Sequence, residues 1–169
     1  MTNNDSNDSE ERFHHLLRTG TALLKEGKAS DALPYLKEAH SLDSDNFDAA
    51  FNLSGALILT GKFSKAVPIL ERLSEREPNN AMVWTNLGAA YLGNPVLAVS
   101  RHQKKAISAF KRALEIDPEA TSVAYNIGLI YRDRDETEKA IYWFREAVKA
   151  DPRDQDAQRI LARLTAEEE

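Results

Sequence analysis

Residues 84–91 read Trp84-Thr85-Asn86-Leu87-Gly88-Ala89-Ala90-Tyr91; further on come Ala106-Ile107-Ser108-Ala109-Phe110 and then Pro118. Trp84, Leu87, Gly88 and Tyr91 stand at i, i+3, i+4 and i+7, which is one face of a helix. Ala106 and Phe110 are four apart and share a face of a second helix. Pro118 ends that second run, because proline has no N–H to give and its ring clashes with the preceding turn. The stretch therefore predicts two helices, each with an apolar stripe, followed by a stop.

The same pattern appears on both sides. A small residue, a large apolar one four later and a small or apolar one three after that occur as Ala32-Leu36-Ala39, Ala66-Leu70-Leu73, Ala106-Phe110-Ala113 and Ala140-Phe144-Ala147. The first residue recurs after 34, 40 and 34 positions. Upstream of these run Gly20 and Leu23; Leu53, Ser54 and Leu57; Leu87, Gly88 and Tyr91; and Ile127, Gly128 and Tyr131. A repeat of this length marks a stacked array, because one such unit cannot bury its own apolar face.

These residues resemble the tetratricopeptide-repeat (TPR) family, whose pattern is W-x2-L-G-x2-Y, then A-x3-F, then P. The third unit fits it throughout with Trp84, Leu87, Gly88, Tyr91, Ala106, Phe110 and Pro118. The fourth keeps Ile127, Gly128, Tyr131, Ala140, Phe144 and Pro152, with Ala124 in place of Trp. The second keeps Leu53, Ala66, Leu70 and Pro78; the first is the most degenerate. The resemblance implies an all-α, right-handed α-α solenoid of four TPR helix hairpins plus a C-terminal capping helix. The expected units are 13–46, 47–80, 81–120 with a six-residue insertion, and 121–154. Residues 1–12 are polar and acidic, with no basic or apolar stretch of a secretory signal, and read as a flexible leader. Residues 155–169 read as a solvating helix with Ala157, Ile160, Leu161 and Leu164 on one stripe.

Local punctuation agrees with helix pairs A and B in each unit. Gly27 and Gly61 suit a turn needing positive φ. Ser30 and Ser64 are placed to cap helix B. Pro34 and Pro68 are expected near the first turn of helix B, where a missing N–H costs least. In the third unit Gly93 should end helix A, and Ser100 with Gln103 forms a capping box that opens helix B. That leaves Asn94 to Val99 as a loop, with Pro95, Val96 and Leu97 as a possible partner contact; a longer helix B starting at Pro95 is the alternative.

In TPR arrays the A helices line the concave face. At 100° per residue, positions 2, 6, 9 and 13 of each A helix point away from the core, and 5 and 12 flank them. Position 6 reads Arg18, Asn52, Asn86 and Asn126; position 9 reads Thr21, Gly55, Ala89 and Leu129. Three carboxamides in register can pair with the peptide units of a visiting chain. The candidate groove is thus Arg18, Phe51, Asn52, Gly55, Met82, Asn86, Ala89, Tyr125, Asn126 and Leu129. The expected ligand is another protein's peptide or helix, with a self-assembled scaffold as the alternative. The family's carboxylate clamp for chaperone C-terminal tails is not matched: position 5 never holds Lys, and positions 2 and 6 of the third and fourth units carry no cation.

Other chemistry is not signalled. The chain of 169 residues has no Cys, which excludes disulfides, thiolate catalysis and cysteine metal sites. His14, His15, His40 and His102 lack metal spacing, so no metal or cofactor is expected. A formal net charge of −5 argues against a nucleic-acid footprint, although Arg101, Lys104, Lys105, Lys111 and Arg112 make one helix locally basic. No run approaches the roughly 20 apolar residues of a membrane span. The expectation is a non-enzymatic binding module in the cytoplasm.

Overall fold

The computed structural model describes residues 3–93 and 100–166. In chain order the helices are α1 (Asn3–Lys25), α2 (Ala29–Leu42), α3 (Phe47–Leu59), α4 (Phe63–Arg76), α5 (Ala81–Leu92), α6 (Ser100–Ile116), α7 (Thr121–Arg132), α8 (Thr137–Ala150) and α9 (Gln155–Ala166). No strand occurs among the described residues. Each helix packs on the next in sequence, and α1 also rests on α3 and α3 on α5. The odd-numbered helices are the A helices, the even-numbered ones up to α8 the B helices, and α9 closes the stack. The chain is a TPR solenoid, as the sequence pattern predicts.

The repeat residues explain why A and B close on each other. A Cβ added to Gly88 would lie 2.5 Å from the Phe110 ring, and one added to Gly20 would lie 2.6 Å from Leu36. At Gly128 the Phe144 ring would be 3.1 Å away. The glycine of each A helix is thus the socket for the large apolar residue of its own B helix. Unit two has Ser54 and Leu70 instead; both are fully buried, and the Ser54 hydroxyl donates to the Phe51 carbonyl at 2.7 Å.

Turns between A and B are set by Gly27 (φ 74°) and Gly61 (φ 71°), in the left-handed region that side chains disfavour. Gly93 (φ 62°) ends α5. Three details differ from the sequence reading. The leader expected to be flexible over residues 1–12 is helical from Asn3, since no Gly or Pro precedes Gly20 to stop a helix propagating back from Phe13. Ser30 and Ser64 do not cap: Lys28 and Lys62 occupy the cap positions without side-chain bonds, because the helices begin directly after the glycine turns. Pro34 and Pro68 lie in the second turn, and the carbonyls deprived of a donor, on Ser30 and Ser64, sit on exposed residues where water can serve them. Pro95, Val96 and Leu97 lie outside the described residues.

Unit-to-unit junctions carry a recurring set of bonds. Asn46, Asn80 and Asp154 cap the helices that follow, accepting from Ala49 N at 3.1 Å, Met82 N at 3.1 Å and Ala157 N at 2.9 Å. Trp84 Nε1 donates to the Pro78 carbonyl at 3.0 Å, and Gln158 Nε2 to that of Pro152 at 2.7 Å. Arg72 pairs with Asp45 of the preceding loop, and in the same register Arg112 reaches Pro78 O and Asn79 Oδ1, each at 3.4 Å. The junction between units three and four has none of these. Ala120 stands at the cap, Ala124 replaces Trp84, and Glu146 replaces the arginine and pairs instead with Lys149 at 3.7 Å. That junction rests mainly on apolar packing of Ile107, Phe110, Val123 and Ile127. Lys111 Nζ adds a distant approach to the Trp143 ring at 6.0 Å.

Tyr91 ties units two and three: its hydroxyl donates to Glu71 Oε1 at 2.6 Å, and Lys105 Nζ lies 4.7 Å from its ring. Burial and the bond to Glu71 push its pKa to about 12. His40 is the opposite case. Burial first, and then the nearby Arg72 guanidinium, hold its imidazole below the ordinary 6.5. Its Nδ1 is buried without a partner among the described residues.

Ala120→Asn supplies the missing cap and should raise stability by about 1 kcal/mol in urea denaturation; an unchanged midpoint contradicts the junction reading. The depressed folded-state pKa of His40 means the unfolded chain binds the proton more readily. Its contribution is whole above pH 6.5 and is lost as pH falls through the lower folded value. His40→Gln should therefore flatten the acid side of a stability–pH curve relative to wild type, and an unaltered slope contradicts the assignment.

Candidate partner-binding groove

α1 rests on α3 and α3 on α5, so the outward faces of these A helices form one inner surface. Its clearest concavity is a trough of about 810 Å³ across α1, α3 and the start of α5. Arg18, Phe51, Asn52 and Met82, all expected in the groove, line it, together with Thr21, Lys25, Phe47 and Asp48. Phe47 and Phe51 stack with their centroids 5.5 Å apart and planes at 9°, because i and i+4 fall on one helix face. Met82 is 61% exposed, an apolar side chain with nothing over it. Lys25, Phe47 and Asp48 are not in the groove expected from the sequence, nor are His14, Leu17, Thr21 and Ala22, which also line the trough. Lys25 stands at position 13, one of the positions the rotation already points outward, and Phe47 at position 1, one turn before Phe51.

Gly55 is unlike the other A-helix glycines discussed above. A Cβ added there meets nothing within 4 Å, so the residue faces open space rather than a B-helix knob. Its neighbours in register behave accordingly. Asn52 Nδ2 donates to Thr21 Oγ1 at 2.9 Å, bridging α3 to α1. The residues equivalent to Thr21 beside Asn86 and Asn126 are Gly55 and Ala89, which carry no hydroxyl. The carboxamides of Asn86 and Asn126 accordingly make no side-chain bond among the described residues, and both are half-buried at the inner surface. One rung of the ladder is spent on the fold and two are open.

Gly55, Asn86, Ala89, Tyr125, Asn126 and Leu129 lie outside the trough lining. Tyr125 meets Phe144 edge-on at 5.6 Å, and Leu129 packs with it into the core of the last unit. Burial, then the carboxylates Asp156 and Asp154, raise the Tyr125 pKa, which shows how closely α9 approaches this end. The inner surface is therefore open at units one to three and partly closed by α9 at unit four. No cluster of potential metal ligands occurs among the described residues, and no helix there is long and apolar enough to cross a membrane.

Comparison with known proteins gives the same fold. Two models described as tetratricopeptide repeat match residues 23–90 and 104–155, and the interval between them holds the inserted residues. The chain is 28% identical over 142 residues to human protein O-mannosyl-transferase TMTC3, covering 84% of this chain and 15% of that protein. It is 26% identical over 95 residues to the peroxisomal targeting signal receptor of Kluyveromyces lactis, 56% of this chain and 16% of that one. The chain thus spans less than a fifth of these relatives. Among solved structures, a thermophilic TPR protein of Thermus thermophilus, TTC0263, superposes with TM-score 0.74 at 22% identity, over 92% of this chain and 82% of that one. MamA (41-end) of Desulfovibrio magneticus RS-1 superposes with TM-score 0.73 at 22% identity, over 85% and 77%.

The two kinds of glycine should separate on mutation. Gly55→Ala should stabilise by about 0.5–1 kcal/mol, the helix-propensity gain at an unobstructed site. Gly88→Ala should destabilise, because its Cβ would sit 2.5 Å from Phe110. Thermal melts of both variants check this, and equal signs contradict the assignment of Gly55 to the open surface.

Proposed function

Because the chain belongs to the tetratricopeptide-repeat family, we propose that it is a protein-interaction module that holds a segment of another protein along its A-helix surface. The observation that carries this reading is the state of position 6 and its neighbours. Asn86 and Asn126 present unused donors and acceptors, and Gly55 leaves the floor open for a peptide backbone to approach. Helices pack roughly 8–10 Å apart, and an extended chain advances about 3.3 Å per residue. A rung can then meet about every third residue of the visitor. Phe47, Phe51 and Met82 offer apolar surface beside the polar rungs, the mixture by which a groove gains both affinity and register.

The reading is one of binding, not catalysis. The match to the O-mannosyl-transferase occupies 15% of that protein, and the part carried over to this chain is the repeat. The peroxisomal targeting signal receptor is named for recognising a targeting signal, and it matches this chain at 26% identity over 95 residues. It supports the same use of the repeat here.

The test is to immobilise the full chain and compare the proteins it captures with those captured by two variants, Gly55→Trp and Asn86→Ala with Asn126→Ala. Both leave the glycine sockets and Asn52 intact, so melting temperature should hold. Loss of the captured partners is expected; an identical set on both variants contradicts the groove.

A further inference from the structure

Half of the 22 Lys and Arg side chains form ion pairs among the described residues, as Arg12 does with Glu38, Arg72 with Asp45 and Arg134 with Glu136. Arg18 and Lys25 belong to the other half, and they are the two cations of that half at the trough. Both line the trough from α1, and neither forms an ion pair among the described residues. The other titratable groups lining it are His14, 3.9 Å from Glu10, and Asp48 on α3, which forms no ion pair with either cation. In a chain of net charge −5 this end of the inner surface reverses the prevailing sign.

The spacing narrows what would fit. Arg18 and Lys25 are seven residues apart on one helix, so about 10 Å separates them along the axis at about 1.5 Å per residue. An extended chain covers that distance in about three residues. Between and beside them lie Leu17, Phe51 and the exposed Met82. These are positions 6 and 13 of the first unit; the chaperone-tail clamp has its position-6 cation on a later unit and uses no residue at position 13. We infer that this end of the groove takes a segment of another protein in which two carboxylates, about three residues apart, flank apolar side chains. The inference rests on the groove reading above and adds the chemistry of the visitor. The carboxylates would satisfy Arg18 and Lys25, and the apolar side chains would cover Phe51 and Met82.

The experiment pans a phage-displayed random peptide library on the full chain and measures the selected synthetic peptides by fluorescence anisotropy at low and high salt. The expected peptides are rich in Asp or Glu beside Leu, Phe or Met, and they weaken with salt. Arg18→Glu with Lys25→Glu should lower their affinity about ten-fold, which is about 1.4 kcal/mol over two exposed ion pairs. Repanning on that variant should select Lys and Arg instead. Both side chains are solvent-facing at the inner surface, so a melt should show the variant folded. Peptides that Gly55→Trp displaces but that show no carboxylate preference overturn this inference and leave the groove standing. Peptides that bind both Gly55→Trp and the charge-reversed variant with unchanged affinity overturn the groove itself. A wild-type chain that sediments as a dimer, dissociated by the charge reversal, makes a second copy the occupant and overturns the assignment to another protein. A library that yields no binder overturns it as well.

Discussion

Everything in this fold depends on the distance between two helices of one unit, and that distance is set by a glycine facing an aromatic or aliphatic knob. With 2.5 Å between a hypothetical Gly88 Cβ and Phe110, any other residue there would force the Phe110 ring or a helix to shift. Close approach of A to B buries both stripes and fixes the angle at which the next unit must stack. The A helices then rest on one another while the B helices spread outward. The inner surface is a consequence of that packing and needs no separate instruction.

The hairpins were legible because each carries its own local signals. Gly88 with Phe110, Gly128 with Phe144 and the prolines that follow α4, α6 and α8 can be read from spacing alone. Less legible were features governed by neighbours. The helical extension from Asn3 depends on the absence of a breaker rather than on any positive signal. Ser30 has the side chain of a cap, but the glycine turn places the cap at Lys28, two residues earlier. On the groove side, the positions facing inward were readable by rotation, but their use was not. Whether a carboxamide is free depends on the residue across the helix interface. Thr21 takes up Asn52, while Gly55 and Ala89 leave Asn86 and Asn126 open. Tyr125 and Leu129 were drawn into the last core because α9 covers that end.

The array is also uneven along its length. Caps, indole and amide bonds to proline carbonyls, and arginine contacts to the preceding loop recur at the other junctions in various combinations and are missing where unit three meets unit four. In a quasi-one-dimensional stack, stability is a sum of units and interfaces. A junction held mainly by apolar contacts is where such a sum is smallest. The trough lies on the other side of it, on units bound together by Asn52, Arg72, Tyr91 and Arg112. The open surface is thus carried by the better-fastened part of the solenoid.

On this account the A-helix face, and not the B-helix face, is the working surface. Amide chemical-shift mapping of the isotope-labelled chain with a captured partner addresses it directly. The account predicts that the amides of Thr21, Gly55 and Ala89 move or broaden on binding while those around the exposed Tyr35 and Tyr142 of α2 and α8 stay in place. Perturbation confined to α2, α4, α6 and α8, with the inner face unmoved, would contradict it.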